Sequence, residues 1–330
     1  MPTAGNHIFI EPSSMAAVKA GLIHSCGLSM TSYHFNRRTI LLTMAALPFA
    51  AAHAASAQQA SDAASSLARK KLRALEQSFD GRLGLFAINT ANGMSIGLRE
   101  SERFPLCSTF KMMLAAAVLD KSRQSAGLLE QVITYTEKDL LDYSPVTEQH
   151  LADGMTVAQL CAATVNFSDN AAANLLMKLL GGPAVVTAFA RSIGDQSFRL
   201  DRWEPDLNSA IPGDLRDTTT PEAMAVSLQR LTLGDALPKA EREQLQTWLR
   251  ASTTGASRIK AGLPADWQSG DKTGTGSYGT AHDIAVIWPP NRAPVVLAIY
   301  TKQHKKNANG RSDIVAAAAK IVSEWLVQAG

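Results

Sequence analysis

Ser108 and Lys111 form a Ser-x-x-Lys tetrapeptide, in which a hydroxyl nucleophile is followed three residues later by an amine. If the segment is helical, the two side chains are surface neighbours, with Cβ atoms about 5–6 Å apart. The lysine can then lower the cost of ionising the serine, as a base or as a fixed positive charge. Taken alone, the tetrapeptide is more often the start of a helix with an exposed lysine. Its meaning therefore depends on the motifs that follow it.

Two further motifs follow the tetrapeptide along the chain. A Ser-Asp-Asn motif occupies residues 168–170, and a Lys-Thr-Gly motif occupies residues 272–274. Class A β-lactamases and penicillin-binding proteins carry the three motifs in this order. The segment Glu204–Asn208 (EPDLN) also resembles the deacylation loop of the class A enzymes. The sequence therefore resembles a class A serine β-lactamase, one of the penicillin-recognising serine hydrolases, over essentially the whole mature chain.

The resemblance implies how the serine is acylated. Ser108 would be the nucleophile, and the backbone N–H groups of Ser108 and Thr275 would bind the developing oxyanion. Ser168 would relay a proton to the departing ring nitrogen, because it maps between Lys111 and Lys272. A second interpretation of Ser168 stays open, since Ser-Asp-Asn is also typical of a helix N-cap.

The resemblance also implies how the acyl group is removed. Glu204 would activate a water molecule that Asn208 helps to hold, and the acyl-enzyme would then be hydrolysed. A stable acyl-enzyme is the expected result if no such base is present. Whether Glu204 or Lys111 is the base for acylation stays open for this family.

A loop would position the glutamate. Residues 202–217 are expected to form a compact Ω-loop. Its first and last residues, Arg202 and Asp217, would close the loop as an ion pair, with a solvated surface pair as the alternative. The sequence permits a cis peptide bond before Pro205, as in the family's loop.

Cationic and hydroxyl side chains are expected to bind the carboxylate of the substrate. Many class A enzymes have an arginine where this chain has Ala281, and a subset has it at the position of Arg258. We therefore expect Arg258 to supply this charge. Asn170 would contact the substrate's side-chain amide or be a turn asparagine, and Tyr143 would line the site's rim or pack against a helix. The expected substrate-binding residues are Asn170, Asn208, Lys272, Thr273, Gly274, Thr275, Arg258 and Tyr143.

Hydrophobic patterning predicts the elements that position these groups. Strand patterns lie near both ends of the mature chain, and its middle is mostly helical. The strands most simply form one antiparallel sheet flanked by helices from both chain ends, with an inserted all-α domain, an α/β two-domain fold of the α+β type. We predict a sheet domain of residues 58–100 and 255–330, a helical domain of residues 101–254, and an active site between them.

Local signals also predict individual elements. The turn-forming residues 90–93 predict a short strand near Ser95–Leu98, and a further strand is predicted at Asp283–Trp288. The alanine-rich segment Asn170–Leu180 is expected to be a helix that ends at Gly181. An amphipathic pattern predicts a final helix over Ser312–Gln328.

The composition is that of a globular protein, with 330 residues, 46% hydrophobic and 18% charged, and a net charge of +3. So small a charge argues against nucleic-acid binding. Residues 1–57 are predicted to be a leader with an export signal, in which Arg37 and Arg38 precede an apolar run too short to span a bilayer. Sec and twin-arginine signals both stay open, and translation is expected to start at Met30. We expect a periplasmic protein without stable membrane association.

Cys107 and Cys161 remain once such a leader is cleaved. Buried free thiols are preferred over a disulfide, because Cys161 lies in an apolar helical pattern. Bridges in the enzymes that the chain resembles would join Cys107 to the position of Gly276 and Cys161 to that of Ala115, so neither bridge can form. The histidines are isolated and no residues have metal-ligand spacing, so we expect no metal and no cofactor.

The expected function is hydrolysis of the β-lactam amide of penicillins and cephalosporins through an acyl-enzyme on Ser108, conferring β-lactam resistance. The expected partners of this monomeric enzyme are β-lactam molecules alone. A penicillin-binding DD-peptidase or β-lactam receptor would keep the acyl group, and Glu204 with Asn208 argues against both. A catalytically silent binding protein on the same fold is the third possibility, and the complete set of reactive groups argues against it.

Overall fold

A computed structural model describes residues 59–329 of the chain. The predicted leader, its export signal and the start at Met30 lie outside the described residues. A five-stranded sheet organises the described part. Its strands are β1 (Gly81–Asn89), β2 (Ser95–Leu98), β7 (Gln268–Gly276), β8 (Thr280–Trp288) and β9 (Val295–Gln303). They lie in the order β2-β1-β9-β8-β7, and every neighbouring pair is antiparallel.

Two short antiparallel ladders accompany the sheet, and sequence patterning did not predict either of them. A ladder of two residues per strand is too short to show a period of two. One ladder pairs β3 (Phe104–Pro105) with β6 (Thr218–Thr219), and the other pairs β4 (Val132–Ile133) with β5 (Met155–Thr156).

Eight helices belong to the described part of the chain. The 3-10 turn Cys107–Thr109 leads directly into α2, whose first ten residues are all buried. The helices are α1 (59–77), α2 (Phe110–Ser122), α3 (Val157–Asn166), α4 (Asn170–Leu180), α5 (Pro183–Ser192), α6 (Pro221–Thr232), α7 (Lys239–Arg250) and α8 (Ser312–Ala329). Within residues 59–329 no single helix is long and apolar enough to cross a membrane. Helices α4 and α5 pass that test only together, bent by 72°, and by length and composition alone.

The sheet is covered on both faces, because alternate strand residues point to opposite sides. On one face Leu83 and Leu85 pack with Trp325 of α8, whose indole N–H donates to Ser65 of α1. On the other face Ile284 belongs to the same core as α2, α3 and α6. Helix α6 packs directly on β1, β8 and β9, so one helix of the chain's middle covers the sheet itself.

The predicted strands near both chain ends, the helical middle and the final helix are confirmed. The predicted end of α4 is also confirmed, since Gly181 adopts a left-handed conformation there, with φ of 105°. Strand β8 begins at Thr280, three residues before the predicted start at Asp283, because Thr280 and His282 are polar yet buried. The exact boundaries between a sheet domain and a helical domain stay a prediction.

Candidate active site

Ser108 lies where the sheet meets the helical layer. The 3-10 turn that carries it packs against the edge strand β7. Gly274 makes this approach possible, because a Cβ atom there would lie 3.1 Å from the Leu106 carbonyl oxygen and 3.2 Å from the Cβ of Cys107. The Thr109 hydroxyl donates to the same Leu106 carbonyl at 2.6 Å, which fixes the turn. The nucleophile predicted from the first motif therefore borders the strand of the third.

Lys111 is fully buried at the second position of α2. Its Nζ donates to the Ser168 carbonyl at 2.8 Å and to Oδ1 of Asn170 at 2.6 Å. The same nitrogen lies 3.0 Å from Oε1 of Glu204. Burial lowers the pKa of Lys111, while the charges of Glu204 and Asp169 oppose that shift. The amine is thus held by the Ser-Asp-Asn motif and by Glu204 of the predicted deacylation loop.

Ser168 connects the two predicted lysines. Its Oγ accepts from Lys272 Nζ at 3.0 Å and lies 3.4 Å from Lys111 Nζ. The N-cap interpretation of Ser168 is wrong, because the side chain of Asp169 caps α4 by accepting from the N–H of Ala172. Burial and the nearby charge of Lys111 lower the pKa of Lys272 to about 7.

Glu204 contacts Ser108, the predicted nucleophile. Its Oε1 accepts from Ser108 Oγ at 3.4 Å, and its Oε2 accepts from Nδ2 of Asn208. The Glu204–Pro205 peptide bond is cis. Asn174 of α4 holds the backbone of Glu204, donating to its carbonyl at 2.9 Å and accepting from its N–H at 3.0 Å. Sequence reasoning missed Asn174, and its one signal is a second asparagine one helical turn after Asn170.

The loop of residues 202–217 is closed by its two end residues. Nε of Arg202 lies 2.5 Å from Oδ2 of Asp217, whose side chain is only 1% exposed. Oδ1 of Asp217 also accepts from the backbone N–H of Asp201 at 2.7 Å. A solvated surface pair is therefore excluded. At the other side of the loop, the Asn208 carbonyl accepts from Ser277 N–H at 3.0 Å, which joins the loop to the end of β7.

Arg258 lies along β7. One of its terminal nitrogens, Nη1, donates to the carbonyls of Gly274 at 2.9 Å and His282 at 2.6 Å. The other, Nη2, donates to Oγ1 of Thr275 at 2.7 Å, and Nε donates to Ser312 at 3.3 Å. Burial lowers the pKa of Arg258, although a guanidinium stays charged near neutral pH. The structure thus places this guanidinium beside the Lys-Thr-Gly strand.

These groups surround a cleft of about 400 Å³. Tyr143 is 51% exposed at its rim, and the alternative of a partly buried tyrosine that packs against a helix stays open. Thr254, which sequence reasoning missed, lines the cleft and shares a 2.6 Å hydrogen bond with Thr273. The isolated threonine carried no motif that could have identified it. The cleft is lined by Ser108, Tyr143, Ser168, Asn170, Asn208, Thr254, Arg258, Thr273, Gly274 and Thr275.

Both described cysteines are free and buried, as predicted. Burial raises the pKa of Cys107 to about 12 and also raises that of Cys161. Neither thiol is therefore ionised near neutral pH, although Cys107 adjoins the nucleophile. Within residues 59–329, the histidine, cysteine and acidic side chains form no group of three that could hold a metal ion.

The antiparallel sheet has a helical layer, and at its edge Ser108 contacts a buried glutamate while a second serine, Ser168, lies between two lysines. These features define the class as a serine hydrolase. Residues 67–326 match the model of the β-lactamase enzyme family, and the chain belongs to this family as a class A serine β-lactamase.

Named relatives agree with this assignment. The chain is 53% identical to the carbapenem-hydrolyzing β-lactamase KPC of Klebsiella oxytoca, over 88% of this chain and 97% of the relative. It is also 53% identical to β-lactamase CTX-M-97 of Escherichia coli, over 87% of this chain and 97% of the relative. The crystal structure of a β-lactamase from Desulfarculus baarsii DSM 2075 is 59% identical, with a TM-score of 0.79 over 79% of this chain and 98% of that one. The predicted two-domain α/β fold is confirmed by this similarity.

Proposed function

We propose that the chain hydrolyses the β-lactam amide of penicillins and cephalosporins through an acyl-enzyme on Ser108, and so confers β-lactam resistance. One observation carries the proposal: a single carboxylate oxygen, Oε1 of Glu204, contacts both Ser108 Oγ and Lys111 Nζ. This arrangement places a base next to the nucleophile, and the base remains available after Ser108 is acylated.

In the acylation step, Ser108 Oγ attacks the β-lactam carbonyl carbon, and its proton passes to the base, either Glu204 or Lys111. The negative oxygen that forms is stabilised by the backbone N–H groups of Ser108 and Thr275. The ring C–N bond then breaks, and the departing nitrogen takes a proton through Ser168. The contacts of Ser168 with Lys111 and Lys272 support this relay, because a proton that Ser168 donates can be replaced from a lysine.

The substrate carboxylate lies along β7 in this proposal. Lys272 and Arg258 supply positive charge, while the hydroxyls of Thr273 and Thr275 supply hydrogen bonds. The backbone of Gly274 borders the substrate because it carries no side chain. Across the cleft, Asn170 contacts the side-chain amide of the substrate and Tyr143 covers its exposed edge. Six of these seven residues line the cleft. The seventh, Lys272, donates from Nζ to Oγ of Ser168, which lines the cleft itself.

In the deacylation step, Glu204 takes a proton from water, and the resulting hydroxide attacks the ester carbonyl. The bond between the acyl carbon and Ser108 Oγ then breaks, and Glu204 returns the proton to Ser108 Oγ, which restores both groups to their starting state. Asn208 supports this role, because its Nδ2 donates to Glu204 while its Oδ1 has no hydrogen-bond partner within the described chain. Oδ1 can therefore accept a hydrogen bond from the attacking water.

Turnover of nitrocefin, measured beside the intact mass of the protein after exposure to benzylpenicillin, tests the proposal. Sustained turnover without a persistent adduct supports hydrolysis. One stable adduct of the penicillin's mass indicates a DD-peptidase or β-lactam receptor, and no turnover and no adduct indicate a silent binding protein. The Glu204–Asn208 pair favours the first outcome.

We also propose export of a monomeric enzyme to the periplasm, with no nucleic-acid partner and no stable membrane association, directed by the leader in residues 1–57. Expression of the full chain followed by separation of periplasm from cytoplasm checks this, and N-terminal sequencing of the precursor checks the start at Met30. A precursor that begins at residue 2 or 3 would contradict that start.

A further inference from the structure

The segment that carries Arg258 is fastened to the outer strand of the sheet by side chains. Arg258 itself has a non-helical backbone, with φ of −113° and ψ of −122°, and the 3-10 turn Ile259–Gly262 begins directly after it. Three side chains of the segment reach alternate residues of β7. The contacts join Ser252 to Asp271 at 2.8 Å, Thr254 to Thr273 at 2.6 Å, and Arg258 to Thr275 at 2.7 Å.

A buried acid of the neighbouring strand fixes the end of this segment. Asp283 of β8 has no exposed surface, and its Oδ2 accepts from the backbone N–H of Ile259 at 3.0 Å. Its Oδ1 has no hydrogen-bond partner within residues 59–329. Burial raises the pKa of Asp283 well above its usual value, and the neighbouring Asp271 adds to the shift. The protonated, neutral form of the Asp283 carboxyl group is therefore favoured over the ionised form.

We propose that Asp283 is a positioning residue, which holds the guanidinium of Arg258 against β7 by anchoring the peptide group between Arg258 and Ile259. The inference rests on the proposed function, in which Arg258 binds the substrate carboxylate. With that peptide fixed, four of the five guanidinium N–H groups find partners on β7, β8 and α8. The fifth, on Nη2, is then held at the cleft for a substrate carboxylate.

A competing explanation has to be tested with it. The side chain of Ile259 is fully buried beneath α8 and could hold the turn without help from Asp283. The two explanations differ in what Asp283→Ala does. If the hydrogen bond positions Arg258, its loss releases the peptide and moves the guanidinium. If apolar burial is sufficient, Arg258 stays in place.

Steady-state kinetics of the full-length enzyme with benzylpenicillin separate these cases. For Asp283→Ala we expect the KM to rise about tenfold while kcat changes less than about twofold, as for the loss of one hydrogen bond to a charged group. Asp283→Asn keeps the acceptor oxygen without a charge and is expected to restore the KM. With the methyl ester of benzylpenicillin, which lacks the carboxylate, the effect of Asp283→Ala should disappear. Asp195→Ala, which removes another buried aspartate that accepts backbone N–H groups, is the matched control and should leave the KM unchanged.

A double-mutant cycle completes the test. Once Arg258→Ala has been introduced, Asp283→Ala should raise the KM no further. The inference is overturned if Asp283→Ala leaves the KM unchanged, or if its effect persists without Arg258. A crystal structure of Asp283→Ala in which Arg258 still contacts Thr275 would also overturn it.

If Asp283→Ala does not fold, Asp283→Thr, whose hydroxyl is too short to reach Ile259, replaces it. The crystal structure gives the position of the guanidinium whether or not the enzyme turns over a substrate. Failure of this inference is therefore distinguishable from failure of the proposed hydrolysis.

Discussion

Oε1 of Glu204 lies 3.0 Å from Nζ of Lys111, and neither side chain is exposed to solvent. Removing two charges from water costs several kcal/mol per ion, so such a pair is weak evidence for stabilisation. Its geometry has a different consequence, because the same oxygen of Glu204 accepts from Ser108. Lys111 thus holds the carboxylate of Glu204 next to Ser108, the proposed nucleophile. Four predictions concern the residues of this site and the loop that carries Glu204.

Replacing Glu204 should separate acylation from deacylation. In Glu204→Ala, acylation persists or slows, while the penicilloyl adduct accumulates because nothing activates water against it. We expect kcat for benzylpenicillin to fall by roughly 10²–10⁴-fold. Intact-mass measurement at successive times after mixing detects the adduct. Asp206→Ala, an exposed carboxylate on the same loop, is the control and should turn over normally. A Glu204→Ala enzyme that still turns over with no adduct would refute this role.

Lys272 should set the alkaline limit of substrate binding. Its pKa is lowered to about 7, so the side chain is cationic below that pH and neutral above it. The attraction for the substrate carboxylate is therefore lost as pH rises, and kcat/KM should fall through about pH 7. In Lys272→Arg the guanidinium stays charged, and the fall should move to higher pH. Lys260→Arg, at an exposed lysine, should keep the original profile. An unchanged profile in Lys272→Arg would contradict the assignment.

Arg258 should contribute to ground-state binding of the carboxylate. For Arg258→Ala we expect the KM for penicillins to rise about tenfold, equivalent to about 1.4 kcal/mol. The physical reason is the loss of a charged donor next to Thr275. Steady-state kinetics measure the effect, with Arg311→Ala as the control, since Arg311 pairs with Asp313 on the exposed surface. An unchanged KM in Arg258→Ala removes Arg258 from the binding site.

The ion pair between Arg202 and Asp217 should stabilise the loop that carries Glu204. Arg202→Ala leaves the nearly buried carboxylate of Asp217 without its cation, which we expect to cost about 1–3 kcal/mol. Urea unfolding measures this loss, and slower release of the acyl group should accompany it because Glu204 is less well held. Arg216→Ala breaks an exposed pair with Asp214 and should change little. Equal stability of the two variants would show that the Arg202–Asp217 pair does not hold the loop.

Local sequence patterns predicted much of the secondary structure, because some elements are marked by short signals at their ends. Strand β2 and helix α4 lie where they were predicted, because the turn at residues 90–93 marks the start of the first and a terminal glycine marks the end of the second. The same reasoning failed where a polar residue is buried by distant neighbours. Asp283 belongs to no recognised motif, so nothing in the sequence marks its role. In the structure its side chain accepts a hydrogen bond from the backbone N–H of Ile259, on a turn earlier in the chain.

The sequence by itself determined the reactive groups, their order and the kinds of element that carry them. It did not determine that Asp169, and not Ser168, caps α4, because both residue types suit an N-cap equally well. Only the tertiary structure decided which charges meet. Lys111 and Glu204 become neighbours through the packing of α2 against a loop far along the chain. Burial and the pKa shifts of the lysines follow from that packing, which depends on long-range contacts that a local pattern does not contain.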